Sequence, residues 1–273
     1  ETRIATVVNI RYPMAGETSH QVTLGVYNPE TGKTVFMKTA GPDDHYLTNI
    51  SWDPSEKFVY IAELNRGQNH MKFNKYNAET GDFVKTLFEE SNDRYVEPLT
   101  PAQFLKTKPN QFIWQSQRDG YTHLYLYDTE GKLISQLTKG PWVVTDVNGF
   151  DQTERRLFYT STEVSPIQRH LYVLDLKTGK STKLTTLHGT HNAKVSANGH
   201  YVLDLLASTD IARRYDLIDG SNGKALRTLQ EDVNPWKEIQ QGESTLGTLK
   251  SKDGSDLYYR ITKPAEFDPS KKY

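Results

Sequence analysis

Apolar and aromatic residues come along this chain in short alternating runs, cut by glycine, asparagine, aspartate and proline. FVYIAE (58–63), HLYLYD (123–128), RLFYTS (156–161) and HLYVLD (170–175) are typical. Such runs suit a pleated, half-buried surface, and the punctuation suits tight turns. No window of roughly 12 residues places apolar side chains at i, i+3, i+4 and i+7, so the pattern predicts many strands and no long amphipathic helix.

The turns recur. YNPETGKTVF (27–36), YNAETGDFVK (76–85), YDTEGKLISQ (127–136), LDLKTGKSTK (174–183) and IDGSNGKALR (218–227) each run strand, Asp or Asn, glycine, strand. Gly32, Gly81, Gly131, Gly179 and Gly223 follow one another at 49, 50, 48 and 44 residues. Each glycine marks a hairpin loop that needs one residue at positive φ. A second turn repeats out of phase: WDPSEKFVYIAE (52–63), TKPNQFIWQS (107–116), FDQTERRLFYTST (150–162), VSANGHYVLDL (195–205) and SKDGSDLYYRI (251–261). Two hairpins per period give four strands every 44 to 50 residues, the signature of a β-propeller blade. The fold class expected is therefore all-β, with four-stranded antiparallel blades. Roughly five repeats fit, as a closed ring or as part of a larger one. Glu1–Ile10 is a candidate outer strand near SKDGSDLYYRI.

Charge and composition narrow the function classes. The 273 residues carry 33 basic and 34 acidic side chains, a net charge of -1. That balance argues against a dedicated nucleic-acid binder. Mean hydropathy is -0.69, and no apolar run approaches the roughly 18 residues of a membrane-spanning helix. Cysteine is absent, which removes disulfides, thiol catalysis and zinc–thiolate sites. No signal peptide is visible behind Glu1, and the missing initiator Met points to an N-terminal cut.

Isolated motifs carry little chemistry. Gly242-Glu243-Ser244-Thr245-Leu246-Gly247 is one residue too long for a nucleophile elbow and reads as a loop between blades. His188 and His191 lack an obvious third metal ligand and read as strand-end residues. Asp43, Asp44 and His45 follow Gly41-Pro42 and read as a solvated turn. Asp216 to Gly223 lacks the oxygen spacing of a calcium loop. No catalytic residue, metal site or cofactor is expected. His123 reads as a hydrogen-bonding histidine within or between blades. Trp52, Trp114, Trp142 and Trp236 read as wedge fillers between blades rather than a stacking face for a ligand. DRYVEPLTPAQF (93–104) differs from the rest: it is long, proline-broken and precedes a blade's innermost strand, so it is a candidate cavity lining.

Several stretches resemble the dipeptidyl peptidase IV family of the prolyl oligopeptidase superfamily. They are Tyr12-Pro13-Met14-Ala15-Gly16, with Met14 where the family usually has Lys and Ser19-His20 where Asn-Pro is common; SQRDGYTHLYLYD (116–128); LTKGPWVVTDV (137–147); SPIQRHLYVLDL (165–176); and PAEFDPSKKY (264–273). The resemblance covers nearly the whole chain. It implies that residues 1–263 are later blades of an eight-bladed propeller, and that 264–273 open the linker into an α/β-hydrolase domain carrying the Ser-His-Asp triad. The family's glutamate pair that captures the substrate amino group would precede Glu1. The family's extended substrate contacts use an aromatic–arginine pair at the blade entry matched by 93–104. The pair itself is not reproduced here: Arg94 and Tyr95 carry that chemistry one or two places away and Glu97 is a departure, and these three are the candidates. The implied function is the substrate-gating part of a periplasmic or secreted serine peptidase that removes N-terminal dipeptides after Pro or Ala. Its implied partners are peptides with a free N-terminus, the hydrolase domain of the same protein and a second copy in a homodimer. Two other readings stay open: a free-standing propeller that binds proteins, and a related prolyl tripeptidyl or acylaminoacyl peptidase.

Overall fold

The computed structural model describes residues 3–12, 14 and 16–273. Pro13 and Ala15 of the Tyr-Pro-x-Ala-Gly stretch, and Glu1 and Thr2, lie outside the described residues. The expected outer strand over Glu1–Ile10 does not form among the residues described, since the first strand starts at Gly25. Two compact units divide the chain, Glu1–Lys139 and Gly140–Tyr273. Among the described residues there are twenty strands and no helix.

In the first unit, β1 (Gly25–Asn28) and β2 (Lys33–Phe36) form a two-stranded sheet. A four-stranded meander follows, β3 (Tyr46–Trp52), β4 (Phe58–Leu64), β5 (His70–Asn77) and β6 (Phe83–Ser91). The next contains β7 (Gln103–Phe104), β8 (Gln111–Ser116), β9 (His123–Asp128) and β10 (Leu133–Gln136). In the second unit the same antiparallel order recurs in β11 (Val144–Phe150), β12 (Arg156–Ser161), β13 (His170–Asp175) and β14 (Ser181–Lys183). It recurs again in β15 (Thr190–Val195), β16 (Tyr201–Ala207), β17 (Arg214–Asp219) and β18 (Ala225–Glu231). A final hairpin pairs β19 (Ser244–Lys250) with β20 (Asp256–Thr262).

The two repeated turns have distinct places in a sheet. The Asx–glycine turn joins third and fourth strands, and the second turn joins first and second. The chain's first strand pair holds a turn of the first kind and its last pair a turn of the second. Five of each turn therefore yield four complete sheets and two half-sheets. All five Asx–glycine turns share one mechanism. Asn28, Asn77, Asp128, Asp175 and Asp219 each accept a backbone N–H two residues ahead through the side chain. Each also takes the glycine N–H on its own carbonyl, at 2.8–3.1 Å. The five glycines sit at φ between 68° and 91°.

Three of those glycines also dock one sheet on another. A Cβ on Gly81, Gly131 or Gly223 would stand 2.2, 2.2 or 2.1 Å from the carbonyl oxygen of Phe36, Leu87 or Leu184, on the preceding sheet or just behind its last strand. The turn thus needs glycine twice, for its dihedral angle and for backbone approach. The second turn places Glu56, Glu154, Gly199 and Gly254 at φ 58°, 50°, 69° and 86°.

Period-2 alternation divides the core of the first unit. Along β4, Tyr60, Ala62 and Leu64 join Phe73, Phe112, Trp114, Tyr125 and Tyr127 in a cluster between two four-stranded sheets, while Val59 and Ile61 face Met37 and Val35 on the other side. A sheet apolar on both faces cannot stand alone in water, so stacking is required. In the second unit Phe158, Leu171 and Val173 pack on Ala193, Val202 and Ile218 of the next sheet.

Candidate functional site

The segment between β6 and β7 is bound down at several points. Asn92 takes its place through a backbone bond to Asn69, and the Val96 N–H donates to the Gln68 carbonyl at 2.8 Å. The Val96 side chain is buried in the aromatic cluster. At the far end Asn49 Nδ2 donates to the Thr100 carbonyl and the Thr100 hydroxyl donates to Gln115 Oε1, both at 2.8 Å. Pro98 holds Glu97 in extended backbone. With Val96 turned inward, its exposed neighbours Tyr95 and Glu97 are left at the surface.

All three residues singled out in the sequence, Arg94, Tyr95 and Glu97, line one cleft of about 450 Å³ in the first unit. Glu89, Glu90, Gln117 and Arg118 complete its charged and polar wall. Tyr95 is 54% exposed, which leaves its side chain available for stacking. Among the described residues neither Arg94 nor Glu97 enters an ion pair, whereas Glu89 is engaged by His70 at 2.7 Å and Lys72 at 3.8 Å.

The sequence reading missed the best-ordered charges of this cleft, Glu90 and Arg118. Glu90, at the end of β6, accepts from Trp114 Nε1 at 2.9 Å, the Ser116 hydroxyl at 2.9 Å and Arg118 Nη2 at 2.6 Å. Arg118 also donates from Nε to Ser116 Oγ at 3.0 Å and from Nη1 to the Tyr127 hydroxyl. Its guanidinium lies 4.4 Å from the Tyr125 ring centroid, within cation–π range. Burial works against the charged guanidinium, but Glu90 and the Tyr127 hydroxyl outweigh it and raise the Arg118 pKa above its ordinary value. Burial likewise raises the Tyr127 hydroxyl pKa, so that group stays neutral. A cleft so built offers a fixed guanidinium, an exposed aromatic ring and unpaired charges of both signs, a set suited to a polar, extended ligand.

The other candidates fall into structural roles, some as expected and some not. His123 opens β9, is fully buried and meets Thr138 Oγ1 at 3.0 Å. His170 opens β13 and meets Thr185 Oγ1 at 3.1 Å in the same way. Burial, then the neighbouring His191 ring 5.0 Å away, pushes the His170 pKa down to about 4. His191 spends its Nδ1 on Asp204 at 2.7 Å and its Nε2 on the Leu187 carbonyl at 2.8 Å. Among the described residues no group of three or more His, Asp or Glu is placed to hold a metal ion. Asp43 is exposed in a turn, while His45 is buried. Asp216 is buried against Arg214 Nε at 2.9 Å and Thr228 Oγ1 at 2.7 Å, in a blade strand rather than an ion loop.

Two expectations are corrected. Ser244 of the elbow lookalike does not lie in a loop: it opens β19, opposite Thr262, and Gly242 touches the Lys263 backbone so closely that no Cβ would fit. The tryptophans do not all fill wedges. Trp114 is buried, but Trp52 and Trp236 are 45% and 56% exposed, because Trp52 ends β3 and Trp236 sits in a turn beyond β18.

Comparison with known proteins adds a frame for this geometry. Residues 1–213 match the family model described as the dipeptidyl peptidase IV (DPP IV) N-terminal region. A probable dipeptidyl peptidase 4 of Aspergillus flavus is 25% identical over 97% of this chain and 36% of its own length. A probable dipeptidyl-aminopeptidase B of Talaromyces marneffei is 27% identical over 98% of this chain and 32% of its own. The crystal structure of a putative dipeptidyl aminopeptidase IV from Bacteroides ovatus superposes with a TM-score of 0.91 at 40% identity, covering all of this chain and 41% of that one. Dipeptidyl peptidase 4 of Porphyromonas gingivalis gives 0.85 at 30% identity, covering 96% of this chain and 37% of that one. The chain thus spans about a third of the length of the curated relatives it matches.

Proposed function

The chain belongs to the dipeptidyl peptidase IV N-terminal region family, and we propose from that premise that it is the substrate-gating β-propeller part of a serine peptidase that releases N-terminal dipeptides after Pro or Ala. The relatives' names support the peptidase reading, and the shares of their length that stay unmatched leave room for a hydrolase domain. The chain itself contributes selection and positioning. A propeller wall admits only short, extended peptides, and holding them in place turns binding energy into rate. The later-blade position in an eight-bladed ring, the Ser-His-Asp chemistry, the homodimer and the periplasmic or secreted location are parts of this proposal carried by the family resemblance.

The observation that carries the local part is the convergence of Arg94, Tyr95 and Glu97 on one cleft. In this reading Tyr95 stacks on the peptide and Arg94 and Glu97 meet its polar groups, as the family's aromatic–arginine pair does. Glu97, a departure from the family's pair, adds a carboxylate to the cleft, so a basic substrate side chain is favoured near it. The test is turnover of Ala-Pro and Gly-Pro chromogenic peptides by the intact protein, with N-acetylated versions as controls. Hydrolysis of the free-amine peptides alone is expected. No turnover, or equal turnover of the acetylated peptides, overturns the proposal.

A further inference from the structure

The cleft holds a second arginine, set back from the segment that drew attention in the sequence. Arg118 has five N–H groups. One on Nε goes to Ser116, one on Nη1 to the Tyr127 hydroxyl and one on Nη2 to Glu90. The two that remain belong to the terminal nitrogens of a side chain that lines the cleft and is 29% exposed. Those three bonds and the Tyr125 ring 4.4 Å from the guanidinium hold the fork in place. Little side-chain entropy is left to lose on binding, which is what preorganisation means for a recognition group.

The surrounding charges choose the ligand chemistry. Glu90 is 11% exposed and neutralises Arg118, so the pair presents directed donors without net charge. Around it, unpaired Arg94 and Glu97 oppose each other and Glu89 is already held by His70 and Lys72, so the lining gives an anion no net attraction. A cation would face the guanidinium itself. A neutral oxygen acceptor meets neither obstacle, and the acceptor that every peptide carries is its main-chain carbonyl.

We propose that Arg118 is a recognition residue of this cleft, donating its two remaining N–H groups to a main-chain carbonyl oxygen of a bound peptide, and that Glu90 is the positioning residue that fixes its fork. The proposal rests on the reading of the cleft as a peptide contact, and the test separates the two. KM and kcat are measured with the intact protein on an Ala-Pro-initiated peptide of about six residues, for Tyr95→Ala, Arg118→Lys and Glu90→Gln, with the melting temperature followed for each. Lysine keeps the charge of Arg118 and loses its fork geometry. Loss of a hydrogen bond to a charged group predicts a rise in KM of about tenfold for Arg118→Lys and a smaller rise for Glu90→Gln, at unchanged kcat. Lost bonds to Ser116, Tyr127 and Glu90 lower the melting temperature of Arg118→Lys in either case; a merely structural role would leave KM unchanged or move kcat with it, and either result overturns the inference. Should Arg118→Lys fail to fold, the KM of Glu90→Gln decides, since that variant keeps acceptor oxygen and volume: a rise supports the assignment and no change refutes it. If Tyr95→Ala raises KM and Arg118→Lys does not, the cleft reading stands and the Arg118 assignment falls. If neither moves KM, or the intact protein cleaves no peptide, both fall.

Discussion

Replacing Gly131 and Gly179 by alanine, one at a time, separates the two demands that the repeated turn makes on its glycine. Both residues follow an Asx side chain and both lie at positive φ, 91° for Gly131 and 71° for Gly179. A Cβ at Gly179 would meet nothing within 4 Å. The cost there is the left-handed conformation, about 1–2 kcal/mol, less about 0.4–1 kcal/mol returned by the stiffer unfolded chain. At Gly131 the added Cβ would stand 2.2 Å from the Leu87 carbonyl oxygen and 2.8 Å from its carbon, all backbone. Relief requires the turn to lift off β6, which strains the Lys85 bonds to Glu130 and loosens the buried Leu87. Overpacking of that kind adds about 1–3 kcal/mol. Gly179→Ala should therefore destabilise by about 0–1.5 kcal/mol, and Gly131→Ala by about 1–3 kcal/mol more than that. Urea denaturation of the intact protein, read with hydrogen exchange over 83–91 and 170–183, measures both. Equal losses at the two positions would refute the claim that the turn of one sheet is docked through its glycine on the backbone of the sheet before it.

Other outcomes follow from named contacts. Asp128→Ala removes an acceptor for the Glu130 and Lys132 N–H groups, so about 1 kcal/mol of stability should be lost by thermal denaturation, with Asp128→Asn, matching Asn28 and Asn77, close to neutral. Glu56→Gly relieves positive φ at an exposed turn and should be neutral or stabilising by up to about 1 kcal/mol in the same assay. His170 binds its proton less well folded than unfolded, with its pKa pushed from 6.5 to about 4. Between those values the unfolded state holds more protons, so the contribution of this group to stability is complete above pH 6.5 and declines as pH falls toward about 4. His170→Gln should flatten that slope in the melting temperature.

Strand content, turn positions and the need for glycine were legible because each rests on local chemistry. Period 2 marks strands, and Asp or Asn before glycine marks a hairpin, and these hold at Asn77–Gly81 and Asp175–Gly179 alike. The sheet phase was not legible, because a turn pattern alone does not tell which strand pair of a sheet it joins. Of the cleft, the segment around Tyr95 stood out by its prolines and length. Arg118 and Glu90 did not, because they lie 28 positions apart and meet only once β6 packs beside β8. SQRDGYTHLYLYD carried a signal in hindsight: an arginine just ahead of a tight Asp-Gly turn, at the mouth of an aromatic strand. Exposed tryptophans were misread for a related reason, since composition does not say which ring ends a strand.

Product analysis tests the central claim most directly. The intact protein is incubated with unlabelled peptides of about ten residues carrying Pro or Ala at the second position, and the fragments are identified by mass spectrometry. The account predicts accumulation of the N-terminal dipeptide and of the peptide shortened by two residues. Release of tripeptides or of acylated residues, or intact peptides throughout, would contradict it.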